Sequence, residues 1–244
     1  MIDYTKSYDS AYNKTYDAGL KNYMLGIYKY IAFALAITGV AAYASISTPL
    51  MHLFYNTVGS QIVGITGFGT LMNFVPIAIA FYFMWGFGSM SLNKARVLFW
   101  VYAATMGIAL SYLGLIYTAT SIVRTFFICS IAFGCMSIYG YTTKKDLTSM
   151  ASFLIMGLIG VLVVSLINIF LQSPALFFVT SIIGVVAFMG LIAWNTQKIK
   201  VVYYSAGAGV VGQKYALMSA FQLYLDFINL FLYMLRFFGD RRNN

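Results

Sequence analysis

The stretch that decides the fold is Tyr215-Ala216-Leu217-Met218-Ser219-Ala220-Phe221-Gln222-Leu223-Tyr224-Leu225-Asp226-Phe227-Ile228-Asn229-Leu230-Phe231-Leu232-Tyr233. It is apolar enough to cross a bilayer, yet it carries Ser219, Gln222, Asp226, Asn229 and Tyr233 at spacings of three, four, three and four. On an α-helix that repeat puts all five on one narrow stripe. Facing acyl chains, such a stripe would leave several polar groups unpaired, each at a cost on the order of 1 kcal/mol or more. The stripe is therefore expected to face other helices or a water-filled cavity, with the last helix at or near the centre of a bundle. A shorter stripe, Ser165, Asn168 and Gln172, is its candidate partner. Asp226 lies near the middle of the segment. Dehydration disfavours the charged form of a carboxyl, so an intramembrane acid is by default a functional group: a proton sensor or an ion site. The competing reading is a carboxyl that only hydrogen-bonds a neighbouring helix.

The composition supports a membrane protein. Of 244 residues, 61% are hydrophobic and 9% charged, and the mean hydropathy is +0.82. A soluble domain of this size lacks the polar surface to cover such a core, which excludes a soluble enzyme, a disulfide scaffold and a disordered chain. The net charge of +9 comes from 15 basic against 6 acidic residues. The bases sit in short clusters between apolar runs, as insertion signals do, so no nucleic-acid partner is expected. There is no Glu, and of the six Asp residues only Asp226 interrupts an apolar run.

About 20 apolar residues cross the hydrocarbon core. On that measure seven spans are expected, at 27–46, 71–89, 97–117, 122–141, 150–171, 175–194 and 215–238. They form one membrane domain over 23–239, with a polar tail at 1–22 and a short tail at 240–244. The first tail has no apolar core or cleavage site and is expected to be soluble, not a signal peptide. Its Tyr4, Tyr8, Tyr12 and Tyr16 suit either a short amphipathic helix or a disordered segment. The glycines at 207, 209 and 212 make 205–214 an expected irregular stretch, and Gly64, Gly67 and Gly69 are expected in a loop. Ser47-Thr48-Pro49, Ser91–Arg96, Thr142–Asp146 and Gln172-Ser173-Pro174 separate spans, with Asp146 or Thr148 able to cap the fifth helix.

With the N-terminus in the cytoplasm, Lys6, Lys14, Lys21, Lys29, Lys94, Arg96, Lys144, Lys145, Lys198, Lys200 and Lys214 all fall inside. Arg124, Arg236, Arg241 and Arg242 fall outside, against the positive-inside rule. A re-entrant last segment would remove the conflict. Against it, 215–238 has no Gly or Pro for a hairpin and gives about 36 Å of helix, enough for one crossing.

Other chemistry is poorly supported. His52 is the one histidine and sits in a loop, so neither a metal site nor a Ser/His/Asp constellation is expected around it. Intramembrane aspartyl proteolysis needs two carboxylates. Cys129 and Cys135, about 9 Å apart along a helix and on different faces, cannot bridge each other. No enzyme activity and no cofactor are expected.

Three separated motifs carry a resemblance: Ser137-Ile138-Tyr139-Gly140-Tyr141-Thr142-Thr143-Lys144-Lys145-Asp146-Leu147, Ala193-Trp194-Asn195-Thr196-Gln197-Lys198-Ile199-Lys200, and Tyr224-Leu225-Asp226-Phe227-Ile228-Asn229-Leu230-Phe231 with Leu235-Arg236-Phe237-Phe238-Gly239. Together they resemble the Bax inhibitor-1 family, bacterial branch, over roughly residues 20–242. The resemblance implies a seven-helix bundle whose last helix is wrapped by the other six, in the bacterial inner membrane. It implies a proton-sensitive calcium leak in which two carboxylates, one at the end of the sixth helix and one in the seventh, share a proton and gate a pore. Asp226 matches the second; the first falls on Asn195, which is not an acid. A basic latch at the end of the second helix is absent too, since residues 30–93 contain no Lys or Arg and Gly86 or its neighbours hold that place. Asn195 can donate a hydrogen bond to Asp226 but cannot share a proton with it, so two coupled titrations become one. A lone carboxylate also holds calcium weakly. The expectation is therefore a pH-modulated calcium or cation leak with an altered gate at Asp226 and Asn195. The alternative is a non-conducting modulator of a membrane-bound AAA protease or other membrane complex, the N-terminal tail serving as its handle.

Overall fold

The computed structural model describes residues 18–58, 61–206 and 209–242. Tyr4, Tyr8, Tyr12 and Tyr16, and with them most of the 1–22 tail, lie outside the described residues, as do residues 243–244. Among the described residues seven helices are long and apolar enough to cross a membrane, and the protein is a seven-helix membrane bundle. They are α1 (Ala18–Ser47), α3 (Gly67–Gly86), α4 (Leu92–Leu110) prolonged by the short α5 (Leu113–Ile116), α6 (Ala119–Thr142), α7 (Thr148–Leu171), α8 (Pro174–Ala206) and α9 (Val210–Phe238). Between α1 and α3 lie one helical turn, α2 (Met51–Phe54), and an antiparallel hairpin of β1 (Tyr55–Val58) and β2 (Gln61–Ile65).

Local chemistry sets the boundaries. Thr66, Ser91 and Thr118 stand in extended backbone just before α3, α4 and α6, and their hydroxyls accept the orphan amides of Gly69, Lys94 and Ser121. The Asp146 carboxylate accepts from the Thr148 amide at the start of α7. At its end Gln172 takes a left-handed conformation (φ 48°), and Pro174 opens α8.

Three expectations are corrected. The first helix already includes Ala18, nine residues before the expected span start at 27. Its buried face, Leu20, Met24, Ile27, Ile31 and Ala34, steps by four and three, a helical period that runs on where the apolar run fades. The 205–214 stretch is mostly helical: α8 continues to Ala206 and α9 starts at Val210, with Gly209 as the extended residue before it. Gly64, Gly67 and Gly69 are not loop residues, since Gly64 lies in β2 and the other two in the first turn of α3. At Gly69 a Cβ would collide with the Phe54 carbonyl, so α3 needs a glycine at that position to pack against α2.

The packing divides the chain into two compact units. One holds residues 28–117 and Arg242. In it Gly107 of α4 lies against the Thr38 carbonyl of α1, and the Thr38 hydroxyl donates to the Ala34 and Ala103 carbonyls. The other holds residues 18–27 and 118–241, and its core is α9 packed on α6 and α8. Of the seven spans α9 is the most buried: 61% of its most apolar stretch lies inside, against 6% for α7. Phe227 of α9 takes Phe126 and Phe133 of α6 edge-on, and the Cys129 thiol donates to the Met234 sulfur at 3.1 Å. Cys129 is buried and Cys135 exposed, and neither is bridged.

The far end of α9 is strapped to the start of α6. Arg124 pairs with Asp240 at 2.9 Å and donates to the Phe238 carbonyl, the Asp240 amide donates to the Ser121 hydroxyl, and the Thr118 amide donates to the Asp240 carbonyl. A re-entrant last segment would end at the other side, beside the loop that follows α6. The last helix therefore traverses the bundle once.

Candidate polar site on the last helix

The site is built where three helices of one unit meet. α6 and α8 approach closely because Gly140 has no side chain: a Cβ there would strike the carbonyl of Ala193. Next to that contact the Lys200 ammonium donates to the Tyr141 carbonyl at 2.8 Å and lies 5.3 Å from the Tyr141 ring centroid. The buried Gln197 side chain reaches the α6–α7 loop. Its Nε2 donates to the Lys145 carbonyl at 2.7 Å, and its Oε1 accepts from the Leu147 amide at 3.0 Å. Gln197 thus ties Lys145 and Leu147 of the first motif to the second.

Asn195, two residues earlier on α8, joins the second motif to the third. Its Nδ2 donates to Asp226 Oδ2 at 2.6 Å. The side chains are 9% and 7% exposed, so both polar groups are withdrawn from lipid and bulk solvent. The lone intramembrane acid is therefore inside the protein, with an amide donor on a neighbouring helix.

The rest of the stripe divides. Asn229 turns back to its own helix and donates to the Leu225 carbonyl at 2.8 Å. Tyr233 packs its ring where Gly184 leaves room and stacks on Phe188 at 5.8 Å, with Arg236 above it at 5.4 Å. Ser219 and Gln222 are half-buried and hydrogen-bond none of the described residues. Apart from Asp226, the stripe therefore lies along the less buried flank of α9, beside Met218, Leu225 and Leu232, while Leu217, Phe221, Tyr224 and Ile228 fill the core. The α7 stripe does not join it through any described hydrogen bond. Asn168 instead closes its own helix, accepting from the Ser173 amide at 2.9 Å through Oδ1. Ser165 is half-buried and hydrogen-bonds none of the described residues.

Among the described residues no three His, Cys, Asp or Glu side chains come together. Asp226 with the Asn195 amide offers too few oxygens to retain a calcium ion. The residue that helix-stripe reasoning missed is Gln197. Its signal was an amide in a span-ending segment two residues from Asn195, but its partners are backbone groups of a loop some fifty residues earlier, which spacing on one helix cannot reveal.

The chain is 59% identical to protein RP147 of Rickettsia prowazekii over the full length of both. It is 40% identical to a Caulobacter vibrioides protein over 93% of this chain and 91% of that one. It is 39% identical to the inner membrane protein YbhL of Escherichia coli, over 92% of this chain and 94% of the relative. The family model described as inhibitor of apoptosis-promoting Bax1 matches residues 20–243, and with these relatives it establishes that this integral membrane protein belongs to the Bax inhibitor-1 family.

Proposed function

We propose that the protein is a pH-modulated leak pathway for calcium or a related cation, with Asp226 as the titrating group and Asn195 as its hydrogen-bonding partner. The observation that carries this reading is the buried 2.6 Å bond between the two, made by the lone acid of the seven spans. A proton on Asp226 changes what the carboxyl can do there: the charged form accepts from the Asn195 amide with both oxygens free of protons, and the acid form has one oxygen committed as donor. Gln222 and Ser219, one and two turns earlier on the same flank, are polar groups that water or a passing cation can use. The cation is cargo held by few ligands, which favours release over retention. Because Asn195 cannot exchange an acid proton, gating here has one titration step where a pair of acids would give two. On the distribution of Lys and Arg, the N-terminus faces the cytoplasm of a bacterial inner membrane. No catalytic step is assigned to the protein.

Proteoliposomes loaded with a calcium dye test the reading. The wild type should leak at different rates at pH 6 and pH 8, and Asp226→Asn should remove the difference. Asn195→Asp, which supplies a second acid, should make the dependence steeper. Equal flux for wild type and Asp226→Asn at both pH values would overturn the assignment.

One observation favours a second reading. With an amide at position 195 the acid pair is incomplete, as suits a non-conducting protein that modulates a membrane-bound AAA protease or another membrane complex. A modulator should tolerate Asp226→Asn and depend on the segment before Ala18. A leak pathway has the opposite sensitivities.

A further inference from the structure

The hairpin between the first two spans carries an apolar surface that no protein element of its unit covers. Val63 is 65% exposed, Ile65 49% and Leu53 52%. No Asp, Glu, Lys or Arg occurs from residue 30 to residue 93, so nothing in this connection demands bulk water. The hairpin is held firmly to the helices of its own unit. The Tyr55 hydroxyl shares a 2.7 Å hydrogen bond with the Ser111 hydroxyl at the end of α4, Phe54 stacks on Phe68 of α3, and the Thr66 hydroxyl donates to the Leu53 carbonyl.

Helix length sets its depth. α3 has 20 residues, which at 1.5 Å each gives about 30 Å, the thickness of the hydrocarbon core. All of α3 is needed to cross, so Gly67 stands at the core boundary. Ile65 and Val63, two and four residues before it, then lie within roughly 7–14 Å of chain from that boundary. The headgroup zone on each side is about 5–8 Å deep. With its base fastened, a hairpin lying along the membrane plane keeps both side chains in that zone, whereas one standing along the normal would carry Val63 about 5 Å beyond it, a difference that a label at Val63 reads. Phe68 and Leu71 at the start of α3 are exposed apolar side chains as well.

We propose that this hairpin is a membrane-surface anchor, seated among phospholipid headgroups with Val63, Ile65 and Leu53 against the acyl boundary. Its occupant is a zwitterionic phospholipid surface, since a hairpin without formal charge gives no preference for anionic lipid. The ladder pairs the facing backbone groups of β1 and β2, and His52 Nδ1 lies 3.2 Å from the Thr57 hydroxyl; the outer strand edges are left for headgroups and interfacial water.

The test is collision accessibility of a spin label on the full chain in phosphatidylcholine vesicles. Cys129 and Cys135 are replaced by Ala, and Val63→Cys carries the label. Ile65→Cys serves as a second site should the first variant fold poorly. Phe74→Cys on α3 provides the lipid-exposed reference and Lys144→Cys the water-exposed one. The expected result is an oxygen-to-nickel accessibility ratio well above that of Lys144→Cys and below that of Phe74→Cys, which sits about 10 Å deeper, and unchanged by 0.5 M salt (on the order of a threefold shorter screening length than at low salt). Nickel accessibility matching Lys144→Cys would overturn the proposal. So would low accessibility to both reagents with dipolar broadening between labels, which would identify a second copy as the cover.

Discussion

Removing the Asn195–Asp226 hydrogen bond should cost a measurable and non-additive amount of stability. The perturbation is a double-mutant cycle of Asn195→Ala, Asp226→Ala and the pair. Two effects set the magnitude. Hydrogen bonds between transmembrane helices average about 0.6 kcal/mol and reach about 1.7, because the unfolded chain in the membrane also finds partners. Bonds to an ionised acceptor are roughly twice as strong as neutral ones, so the cycle is run at alkaline pH, where the carboxyl is charged. The bond is short at 2.6 Å, and both side chains are buried. The upper end therefore applies, and a coupling of about 1–2 kcal/mol is expected. Reversible unfolding in mixed detergent micelles reads it directly. Replacing Asp226→Ala by Asp226→Asn keeps a neutral acceptor, and the coupling should fall to about half. A coupling within about 0.5 kcal/mol of zero, the scatter of independent sites, would refute the reasoning.

Gly140→Ala drives a methyl into the Ala193 carbonyl, and backbone cannot move aside as a side chain can. It should lower stability by about 1–3 kcal/mol, while Gly134→Ala, with open space around it, should be neutral or mildly stabilising in the same thermal melt. Gln197→Ala releases the Lys145 carbonyl and the Leu147 amide. Hydrogen exchange at Leu147 should then speed up at a cost of about 1–3 kcal/mol, with exchange inside α9 unchanged. Asp240→Ala breaks an ion pair whose members are 52% and 66% exposed, so unfolding in detergent should shift by less than about 1 kcal/mol, and less again in high salt.

How much was legible in the sequence differs from element to element. The seven crossings follow from apolar length alone, and Asp226 announced itself as the one acid inside an apolar run. The stripe on α9 located that acid on a helix face, and its burial against Asn195 follows from the cost of leaving it in lipid. What the stripe could not show is which of its members pair with other helices. Ser219 and Gln222 sit on the less buried flank, and Asn229 bonds its own backbone, because a helix offers carbonyls to a polar side chain as readily as a neighbour does. Asn168 was legible as polar but not as a helix-closing residue, since the left-handed turn at Gln172 that exposes the Ser173 amide is a local backbone choice. The hairpin after α2 escaped the reading altogether. Its two strands are short, and the apolar residues around Gly64 fit a strand or the approach to a helix equally well.

The claim on which the functional account rests is that the carboxyl of the last helix is held inside the protein by the side-chain amide of Asn195. Nuclear magnetic resonance of the chain in nanodiscs, with asparagine selectively labelled with 15N, addresses it most directly. The Asn195 side-chain amide should show one proton shifted strongly downfield and slow to exchange, and Asp226→Ala should abolish both features without moving the Asn168 amide. An Asn195 resonance that is unshifted in the wild type, or indifferent to Asp226→Ala, would contradict the account.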